Sequence, residues 1–408
     1  MASLISQLFS SRSSSSIRVP IGKVYDVEDA VEKPARSLKH LLKLNHAEHA
    51  LHSNTSRSDF IVSYNNVDHL LISAFLFGAN EVDLNNLYEN ESSGLEPWKD
   101  SPGEVVGLDW NDYLGKKEYQ RAFLDFFEDQ LADEGYDWKS VLHSFLFTGE
   151  EPLVSSITGN LGQPLVHLGY ALKMSSRVMV MEALALAATS YNDNNINKYS
   201  DDPSYFKTEP SYKTSSILEI IEKVHADKIF TNNSLMIPGE HNLETIFRDH
   251  EAALLDHCNA WAISTNPLMH FRESQAVAAA LFVGTGESES KRDLNLLRPL
   301  VMSHAILVML PSVPDKFHIR LVQQWWLTTL AIYIAQLRPE INQDSITSYN
   351  IQGKDWAWVA KQAIHGPHAT NVRFVEGLHA LKEIGETWKD SEDYYLKAAV
   401  KFVDEFRA

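Results

Sequence analysis

Apolar residues recur at helical spacing through most of the 408-residue chain, and this periodicity is the feature that most constrains the fold. At the C-terminus, Ser391 and the two acids after it form a helix start signal, with the acids at the positive end of the helix dipole. Four apolar side chains then follow on one helical stripe. They are Leu396, Val400, Val403 and Phe406. Strand-like alternation is scarce, so the sequence predicts an all-α fold.

Further segments have the same spacing and are predicted helices. They are Val27–Leu51, Val67–Gly78, Tyr119–Glu134, Leu165–Tyr191, Ile217–Phe230, Thr245–Ala262, Ser274–Val283, Leu297–Leu310, His318–Leu337 and Trp356–Ile364. None of the polar linkers between them is long and featureless enough to separate two independent domains. Residues 26–408 are therefore predicted to form one large multi-helix domain with loop insertions.

The first 25 residues differ in composition from the rest. They contain Arg12, Arg18, Lys23 and many serines, with no acid before Asp26. Such a segment is typical of a disordered tail, and organelle transit peptides share its composition. We interpret residues 1–25 as a tail and expect a cytoplasmic protein, with a mitochondrial location as the alternative.

Charge and cysteine content exclude several classes of function. With 36 basic and 54 acidic residues the formal net charge is −18, which argues against a nucleic-acid partner because such partners require a basic surface. Cys258 is the only cysteine, so internal disulfides and multi-thiolate metal sites are excluded. The longest apolar run, Leu321–Leu337, is interrupted by polar residues, and no membrane span is predicted.

The common cofactor-binding motifs are absent. The nearest approach to the dinucleotide-binding pattern GxGxxG has Gly284 and Gly286 but Glu289 in place of the third glycine, and charged residues rather than an amphipathic helix follow. The sequence contains no flavin fingerprint, Walker A loop, GxSxG elbow or HExxH motif.

Three histidines, His69, His167 and His304, lie within apolar runs on separate predicted helices and are expected to be buried. A buried imidazole needs partners for both ring nitrogens. The three either converge on one metal ion or are separate hydrogen-bonded core residues, and the sequence leaves both open.

Two weaker histidine patterns have simpler explanations. A group on the first predicted helix is interpreted as a solvated face rather than a metal-binding one; it comprises His40, His46, His49 and His52. Two Glu-x-x-His pairs, Glu222 with His225 and Glu376 with His379, have the spacing found in di-iron sites. Among so many acids and histidines, chance is the favoured explanation.

Five blocks of the sequence carry a family resemblance. They are NVDHLLISAFLFGA (66–79), GNLGQPLVHLGYALKMSSRVMVMEALALAA (159–188), LVMSHAILVML (300–310), RLVQQWWLTTLAIYIAQLRP (320–339) and WVAKQAIHGPHATNVRFVEGL (358–378). They resemble the questin oxidase-like family of fungal secondary-metabolism oxidoreductases. The resemblance implies an all-helical enzyme that oxidatively opens an aromatic polyketide, by Baeyer–Villiger-like cleavage of an anthraquinone, with NADPH and O₂ as co-substrates.

The resemblance also implies metal ligands. One related member looks like a non-haem iron ring-cleaving dioxygenase whose iron is held by histidines and a carboxylated lysine. The corresponding positions here are His69, His167, His304 and His368. Read from His368, the family's H-x-x-K pattern ends at Asn371, so the lysine is replaced. Because a flavin fingerprint is absent, Fe(II) is the expected oxygen-activating group if a metal is bound.

Catalytic and cofactor-binding residues are expected on the same blocks. His167 and Tyr170 are the expected catalytic residues, and Tyr170, Trp325 and Trp326 could either stack on a planar polycycle or belong to the core. The 2′-phosphate of NADPH requires a basic partner. The candidates are Arg298, Arg320 and Arg373.

Three functions remain open at this point. The first is an O₂-dependent enzyme that acts on a small aromatic polyketide, either a monooxygenase that also uses NADPH or an iron-dependent ring-cleaving dioxygenase. The second is a metal-independent NADPH oxidoreductase. The third is a non-catalytic polyketide-binding protein, since a fold does not fix a function. The oligomeric state is not predicted.

Overall fold

The computed structural model describes residues 17–20, 22–53, 64–191, 198–199, 202–231, 235–263, 267–285 and 293–407. In these ranges the regular structure is helical, and extended backbone forms only isolated bridges such as the one between His49 and Pro97. The buried apolar side chains of these helices form one continuous core. The prediction of a single all-α domain fold is confirmed.

The α-helices are α1 Lys33–Glu48, α2 Val67–Leu76, α3 Glu81–Ser92, α4 Gln120–Asp133, α5 Trp138–Phe147, α6 Gly159–Lys173, α7 Arg177–Thr189, α8 Ile217–Ala226, α9 Asn242–Asp249, α10 Glu251–Asn259, α11 Pro267–Val283, α12 Arg298–Met309, α13 His318–Ala335, α14 Asp344–Thr347, α15 Trp356–His365, α16 Val372–Thr387 and α17 Glu392–Glu405. Short 3₁₀ helices span Trp110–Tyr113, Lys117–Tyr119, Leu153–Ser155, Pro203–Lys207, Lys228–Phe230, Leu294–Leu297, Leu310–Ser312, Asp315–Phe317 and Lys389–Ser391.

Some helix boundaries differ from the prediction. The predicted helix Leu165–Tyr191 is two helices, α6 and α7, because Ser175 has a left-handed backbone (φ 49°) and the Ser176 side chain caps α7. Helices α14 and α16 lie outside the predicted segments, and so do α3 and α5. Both begin with a side-chain cap, from Asn80 and Asp137 respectively, which satisfies backbone N–H groups of the first turn.

Four helices, α2, α6, α12 and α16, lie side by side and run in the same direction. Contacts between α2 and α6 advance together along both helices: Asn66–Gln163, His69–His167 and Ser73–Tyr170. Helix α16 follows α2 in the same sense, with Glu376 beside His69 and His379 beside Tyr170. Helix α12 follows α6, with Met302 against Gly162 and Ala305 against Gly169. The four N-termini therefore gather at one end of this parallel bundle and the four C-termini at the other.

The first turn of α6 is strained. Asn160, Leu161 and Gly162 have φ values of 49°, 55° and 76°, the left-handed region that non-glycine residues rarely adopt. At Gly162 a Cβ atom would collide with the side chain of Met302 at 2.6 Å. Regular right-handed helix therefore begins at Gln163.

Helix α13 is buried almost all round, as its sequence predicts. Trp325 and Trp326 are each 1 % exposed, and the indole Nε1 of Trp325 donates a hydrogen bond to the carbonyl oxygen of Pro299 at 2.9 Å. Trp326 packs against the ring of Trp261. Both tryptophans are core residues rather than a stacking surface for a ligand.

The described part of the expected tail contacts the domain. The backbone N–H of Ile17, which is buried, donates to Nδ1 of His318 at 2.9 Å. Further along, the N–H of Tyr25 donates to the carbonyl oxygen of Lys173 at 2.9 Å. Ile17 and Tyr25 are thus anchored to the domain, while Lys23 and Val24 between them are exposed. Residues 1–16 of that tail lie outside the described residues.

One described segment, Leu294–Ser312, has the length and hydropathy of a membrane-spanning helix. Its most apolar window is 78 % buried inside the protein. Burial against α6, α11, α13 and α16 accounts for this apolar composition.

Replacing Gly169 tests the close approach of α6 and α12. A Cβ atom at this position would lie 2.8 Å from the Cβ of Ala305, closer than two methyl groups can pack. Gly169→Ala is therefore expected to reduce the free energy of unfolding by about 1–3 kcal/mol, measured by urea denaturation. Adding Ala305→Gly should restore part of the loss. Gly107→Ala, at an exposed site with no heavy atom within 4 Å, is the control, and an equal loss there would contradict the packing argument.

Candidate active site

Two of the predicted histidines meet in the core. Nδ1 of His69 on α2 lies 3.1 Å from Oε1 of Glu376 on α16, and its Nε2 lies 3.1 Å from Nδ1 of His167 on α6. Nε2 of His167 lies 2.8 Å from Oε2 of Glu182 on α7. All four side chains are buried, and each ring nitrogen of the two histidines has a hydrogen-bond partner.

These contacts continue to the protein surface. The other carboxylate oxygen of Glu182, Oε1, lies 2.8 Å from Nδ1 of His46 on α1. Nε2 of His46 lies 2.9 Å from Oε1 of Glu128 on α4, whose side chain is 40 % exposed. We call the six side chains the carboxylate–imidazole series. In order they are Glu128, His46, Glu182, His167, His69 and Glu376.

The series must hold more protons than its neutral imidazoles carry. Its five hydrogen bonds require five protons, whereas three neutral imidazoles supply only three. Two further protons must therefore be bound, each on an imidazolium or on a carboxyl group.

The electrostatics place one of these protons on His46. Burial lowers the pKa of His46, but hydrogen bonds to Glu128 and Glu182 outweigh it and raise the pKa to about 10. Burial alone would raise the pKa of Glu182, yet its hydrogen bonds from His167 and His46 lower it to about 2. Burial lowers the pKa of His69 to about 4. The count of hydrogen bonds leaves the second proton among the other four side chains, which are Glu182, His167, His69 and Glu376.

Asp68 adds an uncharged acid beside the series. Burial and the neighbouring charge of Glu182 raise the pKa of Asp68 well above its usual range. The amide of Asn45 donates to its Oδ1 at 2.9 Å. A protonated Asp68 can in turn donate a hydrogen bond to Glu182, which stabilises the carboxylate there.

Tyr170 on α6 separates this series from a second group. Its ring stacks on His69, with centroids 4.6 Å apart, and on His379 on its other side, at 5.5 Å. The hydroxyl lies 2.8 Å from Oγ of Ser73 and 3.3 Å from Nδ1 of His379. Burial raises the pKa of Tyr170, so the phenol stays protonated. An ion touching His69 is thereby separated from His379 by a phenol ring.

The second group consists of His304 on α12 with His379 and Glu383 on α16. Ligand atoms of the three lie within 4.8 Å of one another. Nδ1 of His304 and Nε2 of His379 are buried and have no hydrogen-bond partner. Burial lowers the pKa of both histidines, that of His304 to about 4, so both are neutral at pH 7. Burial alone would raise the pKa of Glu383, but its electrostatic interactions with the two imidazoles and its ion pair with Lys173 lower it to about 2.

A cavity opens beside this second group, at the C-terminal end of the parallel bundle. It has a volume of about 180 Å³, and a smaller space of about 10 Å³ lies deeper, between Tyr170, His304 and His379. The smaller space holds about one water molecule. His304 and Lys173 line both spaces, so the cavity reaches the imidazole of His304, whereas His379 lines only the smaller space.

The expected metal site is not assembled as predicted. His69 and His167 are occupied by the series, and His304 lies on the far side of Tyr170 with His379. His368 packs instead between the rings of Phe374 and Phe406. The set of His69, His167, His304 and His368 therefore does not fit one ion, because stacking and hydrogen bonding direct its members to different places.

The predicted catalytic and cofactor-binding residues also lie in different parts of the structure. His167 and Tyr170 lie in adjacent turns of α6, one in the series and the other between the two groups. Arg298 and Arg373 interact electrostatically with each other near Glu376. Arg320 lies beside Oγ of Ser155, at 3.5 Å, so the three arginines are not assembled on one phosphate.

Sequence reasoning missed several residues of the two groups. His379 could have been found, because the H-x-x-K pattern also fits His379 to Lys382, and because Glu376 and His379 form one of the Glu-x-x-His pairs. Glu182 is the one acid of an otherwise apolar helix, which is a signal of a buried carboxylate. His46, assigned to a solvated face, is only 12 % exposed because two carboxylates from other helices enclose it.

The charge on His46 predicts a pH-dependent contribution to stability. Because its pKa is raised from 6.5 to about 10 on folding, the contribution is complete below pH 6.5 and is lost as the pH rises through 10. In urea unfolding from pH 6 to pH 10, the stability difference between wild type and His46→Gln should shrink by up to about 1.4 kcal/mol per pH unit. The stability difference between wild type and Glu128→Gln, which removes one of the two carboxylate partners of His46, should shrink less over the same pH range. Parallel pH profiles for wild type and His46→Gln would contradict this charge assignment.

Comparison with known proteins supports a family assignment. The profile of the questin oxidase-like family matches residues 63–380. The Baeyer–Villiger oxidase AgnL3 of Paecilomyces divaricatus is 26 % identical over 200 residues, 46 % of this chain and 41 % of AgnL3, so that alignment spans less than half of either protein.

Two other relatives align over more of their length. The questin oxidase of Aspergillus terreus is 22 % identical over 88 % of this chain and 85 % of its own. The oxidoreductase AflY of Aspergillus parasiticus is 20 % identical over 85 % of this chain and 73 % of its own. Because the family profile covers most of the chain and these relatives are named oxidases and an oxidoreductase, the chain belongs to the questin oxidase-like family of oxidoreductases.

Proposed function

We propose that this oxidoreductase opens a ring of an anthraquinone or related aromatic polyketide by a Baeyer–Villiger-type oxidation, with O₂ as oxidant and NADPH as reductant. The cavity of about 180 Å³ that is lined by His304, whose Nδ1 has no hydrogen-bond partner, is the observation that carries the proposal. The names of the relatives support a substrate of this class, since one is a questin oxidase and others are Baeyer–Villiger oxidases.

The lining of the cavity suits a flat aromatic molecule with carbonyl groups. Leu172, Leu307 and Pro311 offer apolar contacts to a ring system. Lys173 and His304 place hydrogen-bonding groups beside them, where they can contact a carbonyl oxygen. Lys173 is held in position by Glu383, whose carboxylate accepts a hydrogen bond from its ammonium group.

The proposed reaction has a proton requirement that these residues can meet. One atom of O₂ is inserted between a carbonyl carbon and its neighbouring ring carbon, which gives a lactone, and the other leaves as water. Addition of a water molecule across the acyl C–O bond of the lactone then opens the ring to a carboxylic acid and a phenol. NADPH supplies a hydride, and one proton is taken up from the protein or from solvent. Because His304 is neutral at pH 7 and has a free Nδ1, it can accept or pass on a proton at the cavity wall.

A second candidate function, an iron-dependent ring-cleaving dioxygenase, is favoured by one specific observation. His304, His379 and Glu383 form a two-histidine, one-carboxylate donor set with two free imidazole nitrogens. This set fits Fe(II), in contrast to the four histidines expected from the sequence. Bound there, iron would supply the activation of O₂. Tyr170 would orient His379 through its hydroxyl, and Lys173 would compete with the metal for Glu383.

Turnover of an anthraquinone tests the first function. Purified protein supplied with questin, O₂ and NADPH should consume O₂ and release a ring-opened product. His304→Gln should lower kcat at least about 100-fold if its imidazole transfers a proton in the reaction. His368→Gln, outside the site, should retain the wild-type rate. Quenching of tryptophan fluorescence by questin without O₂ uptake would instead favour the non-catalytic binding protein.

Metal analysis separates the second function from the first. After anaerobic purification with iron supplied, the dioxygenase predicts about one iron per chain by mass spectrometry, consistent with a single two-histidine, one-carboxylate site. This iron should be lost in His379→Ala and kept in His368→Ala. Unchanged turnover after exhaustive chelation would favour the metal-independent NADPH oxidoreductase.

A further inference from the structure

Two arginines lie at the end of the parallel bundle opposite the cavity. Arg298 is the first residue of α12, and Arg373 is the second residue of α16. At this end of a helix the backbone dipole is positive and free N–H groups point outward, so a cation is disfavoured and an anion is favoured. Two guanidinium groups at two neighbouring N-termini therefore concentrate positive charge in one place.

Neither arginine forms an ion pair with a carboxylate among the described residues. Arg298 is 4 % exposed; its Nη1 donates to Oε1 of Gln163 at 3.1 Å, and its Nε has no partner. Nη1 of Arg373 is also buried without a partner. A buried donor that is left unsatisfied is costly, and a buried charge without a partner costs more.

The carboxylates nearest to Arg298 do not neutralise it directly. Glu376 and Glu240 act on it electrostatically, but neither lies within ion-pair distance, and Glu376 is engaged by His69. Burial and the charge of Arg373 lower the pKa of Arg298 to about 10. The guanidinium therefore stays charged at pH 7 in an environment that disfavours the charge.

The local backbone holds Gln163 against Arg298. The left-handed turn at Asn160, Leu161 and Gly162 ends directly before Gln163, which is fully buried. The side-chain amide of Gln163 donates to Asn66, so its carbonyl oxygen is turned toward the guanidinium. This arrangement fixes one side of Arg298 and leaves its Nε available to another acceptor.

We infer that Arg298 and Arg373 form a buried binding site for an oxyanion group, a carboxylate or a phosphate. A guanidinium offers parallel N–H donors that match two oxygens of such a group. The group would supply the acceptor that Nε of Arg298 and Nη1 of Arg373 lack. It could come from an acidic aromatic substrate or from the phosphate of a nicotinamide nucleotide. The inference uses only residues at the N-terminal end of the bundle and does not depend on the proposed reaction.

Direct binding of inorganic phosphate tests the inference without turnover. At constant ionic strength, phosphate should raise the Tm of the full chain saturably, and isothermal titration should give one site per chain. Arg298→Gln and Arg373→Gln should each weaken phosphate binding at least about tenfold, the loss expected when a charge-assisted pair is removed. Arg248→Gln, an exposed arginine on α9, is the control of equal charge change. No saturable binding, or equal binding in Arg298→Gln and wild type, would overturn the site.

Competition identifies the source of the oxyanion. Displacement of phosphate by NADP⁺ but not by NAD⁺ would assign the site to the 2′-phosphate of the nucleotide. Displacement by benzoate would assign it to a substrate carboxylate. If Arg298→Gln does not fold, as judged by circular dichroism, the partly exposed Arg373→Gln decides the result alone. If the protein binds phosphate but does not consume O₂ with questin and NADPH, the result contradicts the proposed function and does not contradict this site.

Discussion

The parallel packing of α2, α6, α12 and α16 is the constraint on which the rest of the structure depends. Parallel neighbours align their backbone dipoles, so the ends of the bundle differ in electrostatic potential. Lys173, the last residue of α6, suits the negative end, where it meets Glu383. Arg298 and Arg373 lie at the positive end, where the helix dipoles disfavour their positive charge. The same packing places histidines and carboxylates from four helices in the core, where they must bond to one another because water is excluded.

Tyr170 contacts both buried groups, through ring stacking on His69 and on His379. On the His69 side every imidazole nitrogen has a partner, so the carboxylate–imidazole series is satisfied and rigid. On the His379 side two imidazole nitrogens have no hydrogen-bond partner, and one of the two histidines, His304, lines the cavity. The side where hydrogen bonding is incomplete is therefore the one on which we base the proposed function. The series on the other side adds stability and fixes the helices against which Tyr170 stacks.

Much of the fold could be predicted because helical periodicity is a local property of the sequence. The burial of His69, His167 and His304 also followed from the apolar runs around them, and the structure confirms it. Their arrangement did not follow, because it depends on side chains from distant helices: Glu182 and Glu376 bind two of them, and the ring of Tyr170 separates the third. The same limit applies to His368, whose contacts with Phe374 and Phe406 depend on how α16 packs against α17.

The N-terminal segment described above forms part of the cavity wall. Gly22, Lys23 and Val24 line the cavity together with α6 and α12, and backbone hydrogen bonds from Tyr25 and Val27 to the end of α6 hold the segment there. This placement limits where the chain can be processed. A peptidase that removed a leader at or beyond residue 22 would take away one wall of the cavity, whereas cleavage before Ile17 would leave the wall and its anchor in place. The integrity of the N-terminal segment and the shape of the cavity are thus linked through a few residues.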